Sequence, residues 1–207
     1  MDPAPYDQRI ARTLVRPLAR FGARPNQVTA LSLLLALAAA WLFAEGAPRL
    51  AHWAAGLFVL ARFLDHIDGE LARLTGTATR FGYYFDYGVG GISHAALFLG
   101  VGVGLSAGPL GGWALVLGAL GAASAMISLF LNLDLDQQRR LAEGETVGYP
   151  GTGGFELEDG TYLIAPVTWL GWLMPFFVAA SLGAAAYCCW TFGRALRARR
   201  PKGERRS

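Results

Sequence analysis

The chain has 207 residues, of which 54% are hydrophobic and 16% charged, with a formal net charge of +3 at pH 7. This composition excludes an ordinary soluble domain and indicates an integral membrane protein whose core forms among helices. The two cysteines, Cys188 and Cys189, are adjacent within an apolar run, which disfavours a structural disulfide and offers no zinc-binding spacing.

The first segment, residues 1–24, predicts a cytoplasmic amphipathic helix that lies in the membrane interface. Apolar side chains recur at helical spacing from Tyr6 to Phe21, while arginines occupy the opposite side. Pro17 is expected to kink this helix or to shift its start. A basic soluble arm is the alternative interpretation of the same residues.

The remaining apolar runs predict six membrane-spanning helices, because one span takes about 20 helical residues. The predicted fold is therefore all-α integral membrane, with six transmembrane helices in residues 25–196 behind the amphipathic helix. Polar residues 134–160 are expected to form a cytoplasmic loop, and residues 197–207 a basic cytoplasmic tail. The predicted helices comprise residues 27–45, 52–74, 81–104, 113–133, 162–171 and 175–196.

The placement of positive charge predicts the orientation of these helices. All of the 18 lysines and arginines except Arg49 and Arg62 fall in the N-terminal segment, the second and fourth links, or the C-terminal end. Because positive residues stay on the cytoplasmic side, both termini and the charged ends of the second and third helices are expected in the cytoplasm. The basic excess thus reflects topology and anionic lipid headgroups, and we expect no nucleic-acid partner.

Carboxylates stand at the end of the second predicted helix, where charge is costly unless it serves a pair or a site. At about 100° per residue, Asp65, Asp68, Gly69 and Ala72 fall on one narrow face of this helix. Two carboxylates therefore point the same way, with small residues beside them.

The third predicted helix carries a matching face of small residues around another carboxylate. A seam of this kind allows close approach and is expected to bring Asp86 towards Asp65 and Asp68. Clustered carboxylate oxygens suit a hard cation such as Mg²⁺, and a pair of ions would suit displacement at phosphorus. The residues that share this face are Gly82, Asp86, Gly90 and Ser93.

The pattern formed by the two helices resembles the motif D-x2-D-G-x2-A-R-x8-G-x3-D-x3-D of the CDP-alcohol phosphotransferases (CDP-alcohol phosphatidyltransferases), a family of integral membrane enzymes. Seven of its eight positions match, and Gly90 stands where the motif has its last Asp. The resemblance implies that an Asp there binds metal and accepts the proton of the acceptor hydroxyl, so Gly90 leaves the proton acceptor open. The matching positions are Asp65, Asp68, Gly69, Ala72, Arg73, Gly82 and Asp86.

The resemblance implies an enzyme of phospholipid biosynthesis. Such an enzyme transfers a phospho-substituted alcohol group from a CDP-linked donor, here expected to be CDP-diacylglycerol, to an acceptor hydroxyl with release of CMP. The implied cofactor is Mg²⁺ or Mn²⁺, and the implied partners are the CDP-linked lipid or alcohol, membrane lipids and a second copy of the chain. A bacterial inner (plasma) membrane is the expected location, and the acceptor stays open.

The resemblance also assigns roles to the motif residues. Arg73 is expected to add positive charge beside the diphosphate, and the small residues to let the nucleotide approach the backbone. The implied metal ligands are Asp65, Asp68 and Asp86. The residues implied to bind the CDP-linked donor are Asp65, Gly69, Ala72, Arg73 and Gly82.

Two residues outside the matching positions complete the predicted site. Asn26, in the Pro-Asn-x-x-Thr start of the first span, is expected near the headgroup, with a plain helix cap as the alternative. For proton transfer we predict Asp86 and His94, which lies one turn beyond Gly90. A histidine that only packs is the alternative for His94.

Two other classes of protein stay open at this point. Gly90 is compatible with a non-catalytic relative that keeps metal and CDP-lipid bound as a binding module. Intramembrane carboxylates also serve ion-coupled transporters, although the small size and the absence of recognisable inverted repeats disfavour that class.

Overall fold

The computed structural model describes residues 15, 17, 22–143 and 157–199, and the regular elements in these ranges are all helical. Five long α-helices, one short α-helix and one 3-10 segment follow each other along the described part of the chain. They are α1 (Pro25–Ala44), α2 (Pro48–Thr75), α3 (Arg80–Leu105), α4 (Gly112–Glu143), a 3-10 segment (Leu157–Leu163), α5 (Ile164–Trp169) and α6 (Leu173–Arg199).

Local sequence signals set where the first helices begin and end. Pro25 and Pro48 occupy the first turn of α1 and α2, where the missing N–H has no intrahelical partner to lose. At the end of α2, Gly76 has a φ of 65°, a left-handed conformation that favours glycine. Thr79 precedes α3 and its hydroxyl accepts a 3.0 Å hydrogen bond from the Gly82 amide. A link of only four residues, 76–79, therefore joins α2 to α3, and the chain reverses direction there.

The helices form a bundle in which α1 is central. α1 packs against both α2 and α3, α3 packs against α4, and α4 packs against α6, while α5 rests on α2. Among the described residues, the backbones of α2 and α3 make few direct contacts with each other. The two helices therefore face each other across a gap that α1 closes from behind. We call the end of the bundle with Thr29, Asp68 and Asp86 the motif end, and the end with Phe43 and Gly104 the distal end.

Glycines allow α1 and α3 to touch backbone to backbone at the distal end. A Cβ at Gly100 would collide with the carbonyl group of Ala40, and a Cβ at Gly104 with that of Phe43. Only glycine leaves room for these approaches, which replace side-chain packing by direct helix contact.

Apolar side chains fill the space between α1, α2 and α3. The central cluster is built around Phe43 and Phe58, which are 2% and 0% exposed. A smaller cluster at the motif end joins Val15 to Val28, Ile67 and Leu71. Val15 therefore packs against the same part of α2 that carries the carboxylates.

Four helices are long and apolar enough to cross a membrane by length and composition, which agrees with an all-α integral membrane protein. The prediction of six spans is not confirmed in full. α2 has 28 residues but carries many charged ones, and the fifth predicted span is a 3-10 segment followed by the six-residue α5, about 9 Å long. Gly171, with a φ of 77°, turns the chain after α5. The four helices are Pro25–Ala44, Arg80–Leu105, Gly112–Leu135 and Leu173–Ala198.

Two predicted boundaries are corrected by the structure. α4 continues to Glu143, so the predicted loop 134–160 does not begin at 134. Residues 134–143 are mostly good helix formers, and the change from apolar to polar marks a change of environment without ending the helix. Similarly, α6 continues to Arg199, three residues into the predicted tail. Of the predicted amphipathic helix only Val15 and Pro17 are described, both in helical conformation, and the rest lies outside the described residues.

Candidate metal centre

The gap between α2 and α3 brings three carboxylates together at the motif end. Asp65 and Asp68 come from α2 and Asp86 from α3, and one oxygen of each lies within 4.8 Å of the others. The helical spacing of the first two and the glycine-lined face of α3 predicted this proximity. We call these three residues the carboxylate triad.

Asp68 is the most deeply buried member of the triad, with 2% of its surface exposed. Its Oδ2 accepts a hydrogen bond from the hydroxyl group of Thr29 on α1. The same hydroxyl lies 3.1 Å from the carbonyl oxygen of Pro25, so its single proton has two acceptors within reach. The sequence predicted no role for Thr29, because its partner Asp68 is 39 residues away along the chain.

Asp65 is held by an arginine one turn earlier on α2. Arg62 Nη1 donates to Asp65 Oδ2 at 2.9 Å, and the two side chains are 4% and 13% exposed. The other oxygen, Oδ1, is buried without a hydrogen-bond partner in the described part of the chain. A buried carboxylate oxygen in that state is costly unless a further group binds it.

Gly90 and His94 lie deeper along α3. A Cβ at Gly90 would lie 3.9 Å from Arg62 Nη1 and would meet nothing closer. His94 Nδ1 is 2.8 Å from the carbonyl oxygen of Gly90, which fixes the ring by a bond to its own helix. The ring also meets Phe58 edge-on, with 6.1 Å between centroids. The structure thus gives His94 a packing contact and a backbone partner, and its role in proton transfer stays a prediction.

Three of the predicted donor-binding residues, Gly69, Ala72 and Arg73, are neighbours on α2, and their role stays a prediction. The Arg73 side chain is 64% exposed and lies over Gly69, where a Cβ would be 3.6 Å from its Nη2. Its Nη2 also donates to the buried Glu70 at 3.0 Å, which anchors the guanidinium while leaving it open to solvent. Ala72 is half-buried beside Arg73.

Asn26 reaches the start of α3, and its place near the headgroup stays a prediction. Its Oδ1 lies 3.2 Å from the point that a Cβ at Gly82 would occupy. Any side chain at position 82 would therefore press on Asn26 and on the Thr79 hydroxyl. Gly82 thereby keeps α3 close to the first turn of α1.

One contact to the motif was not foreseen. The hydroxyl of Tyr162, in the 3-10 segment, lies 3.4 Å from His66 Nδ1, which is also 2.9 Å from the carbonyl oxygen of Arg62. At the end of α5, Trp169 Nε1 donates to the carbonyl oxygen of His52 at 3.2 Å. The 3-10 segment and α5 therefore run antiparallel to α2 from the motif end towards the distal end.

The donor set of the triad fits a hard divalent cation. Oxygens from three carboxylates are the ligands that Mg²⁺ and Mn²⁺ prefer, and Mg²⁺ accepts one or two such groups together with waters and phosphate oxygens. The partnerless Oδ1 of Asp65 gives this fit an independent support. The exposed Arg73 nearby adds positive charge suited to a phosphate group.

Comparison with known proteins gives the same picture over most of the chain. Residues 23–192 match the family described as CDP-alcohol phosphatidyltransferase. The chain is 34% identical over 97 residues to the archaetidylinositol phosphate synthase of Pyrococcus horikoshii, and 35% identical over 100 residues to that of Aeropyrum pernix. These matches cover 47% and 45% of this chain and 48% and 49% of the relatives, about half of their length.

Solved structures resemble the whole fold at lower identity. A crystal structure of Mycobacterium tuberculosis phosphatidylinositol phosphate synthase with CDP-DAG bound has a TM-score of 0.70 and 20% identity, and the match covers 96% of this chain and 98% of that one. The same protein in complex with manganese and citrate has a TM-score of 0.68 and 20% identity, with 95% and 93% covered. At this identity the likeness establishes the fold.

Proposed function

The chain belongs to the CDP-alcohol phosphatidyltransferase family, and on this premise we propose that it transfers a phosphatidyl-type group from a CDP-linked lipid to an acceptor hydroxyl with release of CMP. The observation that carries the proposal is the carboxylate triad, whose ligand oxygens lie within 4.8 Å of one another. The triad lies in a gap between two helices with an exposed arginine at its rim, as binding of a diphosphate requires.

For the substrates, we propose CDP-diacylglycerol or a related CDP-linked ether lipid as donor and an inositol phosphate as acceptor. The support comes from the relatives, which are named archaetidylinositol phosphate synthases, and from the structurally similar synthase with CDP-DAG bound. The acceptor does not follow from the motif, because the motif residues serve the donor and the metal.

In the proposed reaction, the acceptor oxygen attacks the phosphorus atom that bears the lipid alcohol. The bond from that phosphorus to the CMP oxygen breaks, and CMP leaves with the electron pair. Asp65, Asp68 and Asp86 would hold Mg²⁺ or Mn²⁺, which when bound supplies charge stabilisation at the phosphate oxygens. Arg73, anchored by Glu70, contributes a further positive charge to the diphosphate.

The acceptor proton needs a base, and Gly90 offers none. Asp86 lies one helical turn before Gly90 on the same face and is our first candidate. His94 is the second candidate, since an imidazole whose Nδ1 is bonded to the backbone keeps Nε2 as its basic nitrogen. His94→Gln separates the two candidates: a change in the pH profile of CMP release assigns the proton to the imidazole.

We also propose the arrangement in the membrane. α2 is long enough to cross it, with its charged half turned towards the protein interior, and the 3-10 segment with α5 completes a sixth, shorter pass. The excess of positive residues supports a cytoplasmic position for both termini and for the motif end. A homodimer in a bacterial plasma membrane completes the proposal.

The test is release of CMP by the purified full chain in lipid nanodiscs. CDP-diacylglycerol and a CDP-linked ether lipid are each offered with inositol phosphate, inositol, glycerol phosphate or serine, with Mg²⁺ or with EDTA. We expect Mg²⁺-dependent release with inositol phosphate. Asp68→Asn is the control, because it removes a metal ligand at nearly constant volume and should abolish release.

Binding without turnover is a second candidate, favoured by Gly90 in place of a carboxylate and by Arg62 beside it. CDP-lipid that stays bound with no CMP release for any acceptor supports this candidate. Absence of both binding and release overturns both candidates.

A further inference from the structure

Five of the six tryptophans of the chain lie at the distal end of the bundle. Their side chains are between 57% and 72% exposed, which is unusual for so large an apolar residue. We call them the distal tryptophans. They are Trp41 near the end of α1, Trp53 near the start of α2, Trp113 at the start of α4, Trp169 at the end of α5 and Trp172 in the link before α6.

Contacts between helices hold the distal tryptophans at a similar level along the bundle. The carbonyl oxygens of Ala40 and Ala114, each next to one of them, face glycines of α3 that are two residues apart. The carbonyl oxygen of His52, next to Trp53, accepts a hydrogen bond from Trp169 Nε1 at 3.2 Å. The distal tryptophans therefore form a layer across the bundle.

The chemistry of this layer matches a membrane interface. A tryptophan joins a large apolar ring to one N–H donor, and it is enriched where hydrocarbon meets the polar part of the bilayer. Among the described residues, the only distal tryptophan whose N–H has a hydrogen-bond partner is Trp169. The links 106–111 and 170–172 at this end contain no charged residue.

We propose that the distal tryptophans bind the ester-carbonyl and headgroup layer of one lipid leaflet and thereby fix the depth of the bundle in the membrane. Trp53 on α2 and Trp113 on α4 are separated by α1 and α3, so a partner on one side of the bundle cannot cover both. A lipid layer surrounds the bundle and reaches both. The inference does not depend on the proposed reaction, and it adds a depth to the proposed arrangement in the membrane.

A second boundary follows from α6. Trp190, which is also exposed, lies 18 residues after Trp172. At about 1.5 Å per helical residue this spacing is about 27 Å, close to the hydrocarbon thickness of about 30 Å. Phe81 and Tyr84 at the start of α3 are further exposed aromatic residues at the motif end. Trp190 therefore marks the boundary at the motif end.

The two boundaries give the depth of the carboxylate triad. On α1, Thr29 lies 12 residues from Trp41, about 18 Å along the helix. On α2, Asp68 lies 15 residues from Trp53, about 22 Å. The triad is consequently about 5–9 Å closer to the membrane centre than Trp190, which is one helical turn or more inside the boundary.

The test measures tryptophan fluorescence of the full chain in lipid nanodiscs, without metal or substrate. The quenchers are phosphatidylcholines that carry bromine either near the carbonyl end or near the methyl end of their acyl chains. We expect the shallow bromine to quench at least about twofold more than the deep bromine, because interfacial tryptophans lie near the carbonyl groups. Trp53→Phe and Trp113→Phe should each remove a component that the shallow bromine quenches.

Trp190 is read separately from the distal tryptophans. Replacing all five distal tryptophans by Phe leaves Trp190 as the only emitter, and its emission should also be quenched most by the shallow bromine. Circular dichroism checks the helix content of this variant. Trp190→Phe gives the same information by difference from the unaltered chain, with a single substitution at an exposed position.

Three outcomes would overturn the inference. Distal tryptophans that are quenched by iodide in the water and by neither lipid would lie outside the membrane. Stronger quenching by the deep bromine would place them in the hydrocarbon. Stronger quenching of Trp190 by the deep bromine would remove the second boundary and the depth of the triad with it.

The outcomes also separate this inference from the proposed function, because quenching requires neither metal nor turnover. The expected quenching without any CMP release would overturn the proposed reaction alone. CMP release by a protein whose distal tryptophans are quenched only by iodide would overturn this inference alone.

Discussion

The two ends of the bundle join the same helices by opposite means. At the distal end, α1 and α3 touch through their backbones, with Gly100 against Ala40 and Gly104 against Phe43. At the motif end, α1 meets α2 through a hydrogen bond from Thr29 to a buried carboxylate. The distal end has the packing of a stable membrane helix bundle. The motif end instead gathers three carboxylates, of which Asp65 forms an ion pair with Arg62.

The two ends also differ in their electrostatic energy when no metal is bound. Two like charges about 4 Å apart repel by roughly 4 kcal/mol at an effective dielectric constant of 20, so three close carboxylates strain the metal-free protein. Arg62 relieves part of this repulsion at Asp65. Stability and function are thus assigned to different ends of one small molecule, and variants should separate them.

The largest expected effect separates activity from stability at Asp68. Asp68→Asn should lower CMP release by more than about 100-fold, because loss of a metal ligand exceeds the 10–100-fold typical of outer partners. The thermal midpoint of the metal-free protein should stay constant or rise, since one of three repelling charges has gone and Asn can still accept from Thr29. Differential scanning fluorimetry with and without Mn²⁺ measures both midpoints.

For Asp68→Asn, the rise in midpoint that Mn²⁺ gives the unaltered chain should also vanish. Glu45→Gln is the matched control, since Glu45 is an exposed carboxylate at the distal end and its loss should change neither activity nor the Mn²⁺ effect. A marked fall in the metal-free midpoint of Asp68→Asn would contradict the view that the triad is strained.

The next effect tests the distal end. Gly100→Ala should lower the free energy of unfolding by about 1–3 kcal/mol, because the added Cβ overlaps the Ala40 carbonyl and the helices must move apart. Gly56→Ala is the matched control, since a Cβ there meets nothing within 4 Å and should be neutral or stabilising by up to about 1 kcal/mol. Thermal unfolding in the same lipid checks the pair, and equal midpoints would argue against backbone contact.

Sequence periodicity predicted the parts of this contrast that depend on one helix at a time. The residues that share a face of α2 or α3 follow from the helical repeat. The proximity of Asp86 to Asp65 and Asp68 could therefore be predicted from the sequence. The end of α4 was predicted too early, because the end of an apolar run marks a change of environment and does not mark the end of the helix. α4 continues beyond its apolar run to Glu143. The fifth span stays unconfirmed, and its change from 3-10 to α geometry was not predicted, because a run of apolar residues does not distinguish the two helix types.

Contacts between distant parts of the chain were beyond such reasoning. Thr29 and Asp68 are 39 residues apart, and Tyr162 and His66 are 96 apart. Each such pair depends on how the helices cross, which periodicity alone does not determine. Arg62 was recognised as a possible partner of a carboxylate, but its position against Gly90 required the packed structure.

A smaller effect tests the hydrogen bond that links α1 to the triad. Thr29→Val keeps the shape of the side chain but removes the donor to Asp68, so metal affinity and CMP release should fall by about 10-fold. Thr29→Ser retains the hydroxyl and should recover most of both. Mn²⁺ titration of the two variants makes the comparison. Equal metal affinity and equal CMP release in Thr29→Val and Thr29→Ser would mean that the hydroxyl does not position Asp68.

The smallest expected effect concerns the 3-10 segment, which contacts the motif from outside the gap. The Tyr162 hydroxyl is 3.4 Å from His66 Nδ1, and the shorter 2.9 Å contact of that nitrogen with the Arg62 carbonyl oxygen already engages its proton. Tyr162→Phe keeps the ring contact with His66 and should therefore change CMP release by less than about 3-fold, under about 0.7 kcal/mol. Tyr162→Ala removes the ring as well and should cost more, through packing, at unchanged metal stoichiometry. A loss of 10-fold or more in Tyr162→Phe, with a raised KM for the acceptor, would mean that the hydroxyl binds substrate. The functional end of the molecule would then extend beyond α1, α2 and α3 to the 3-10 segment.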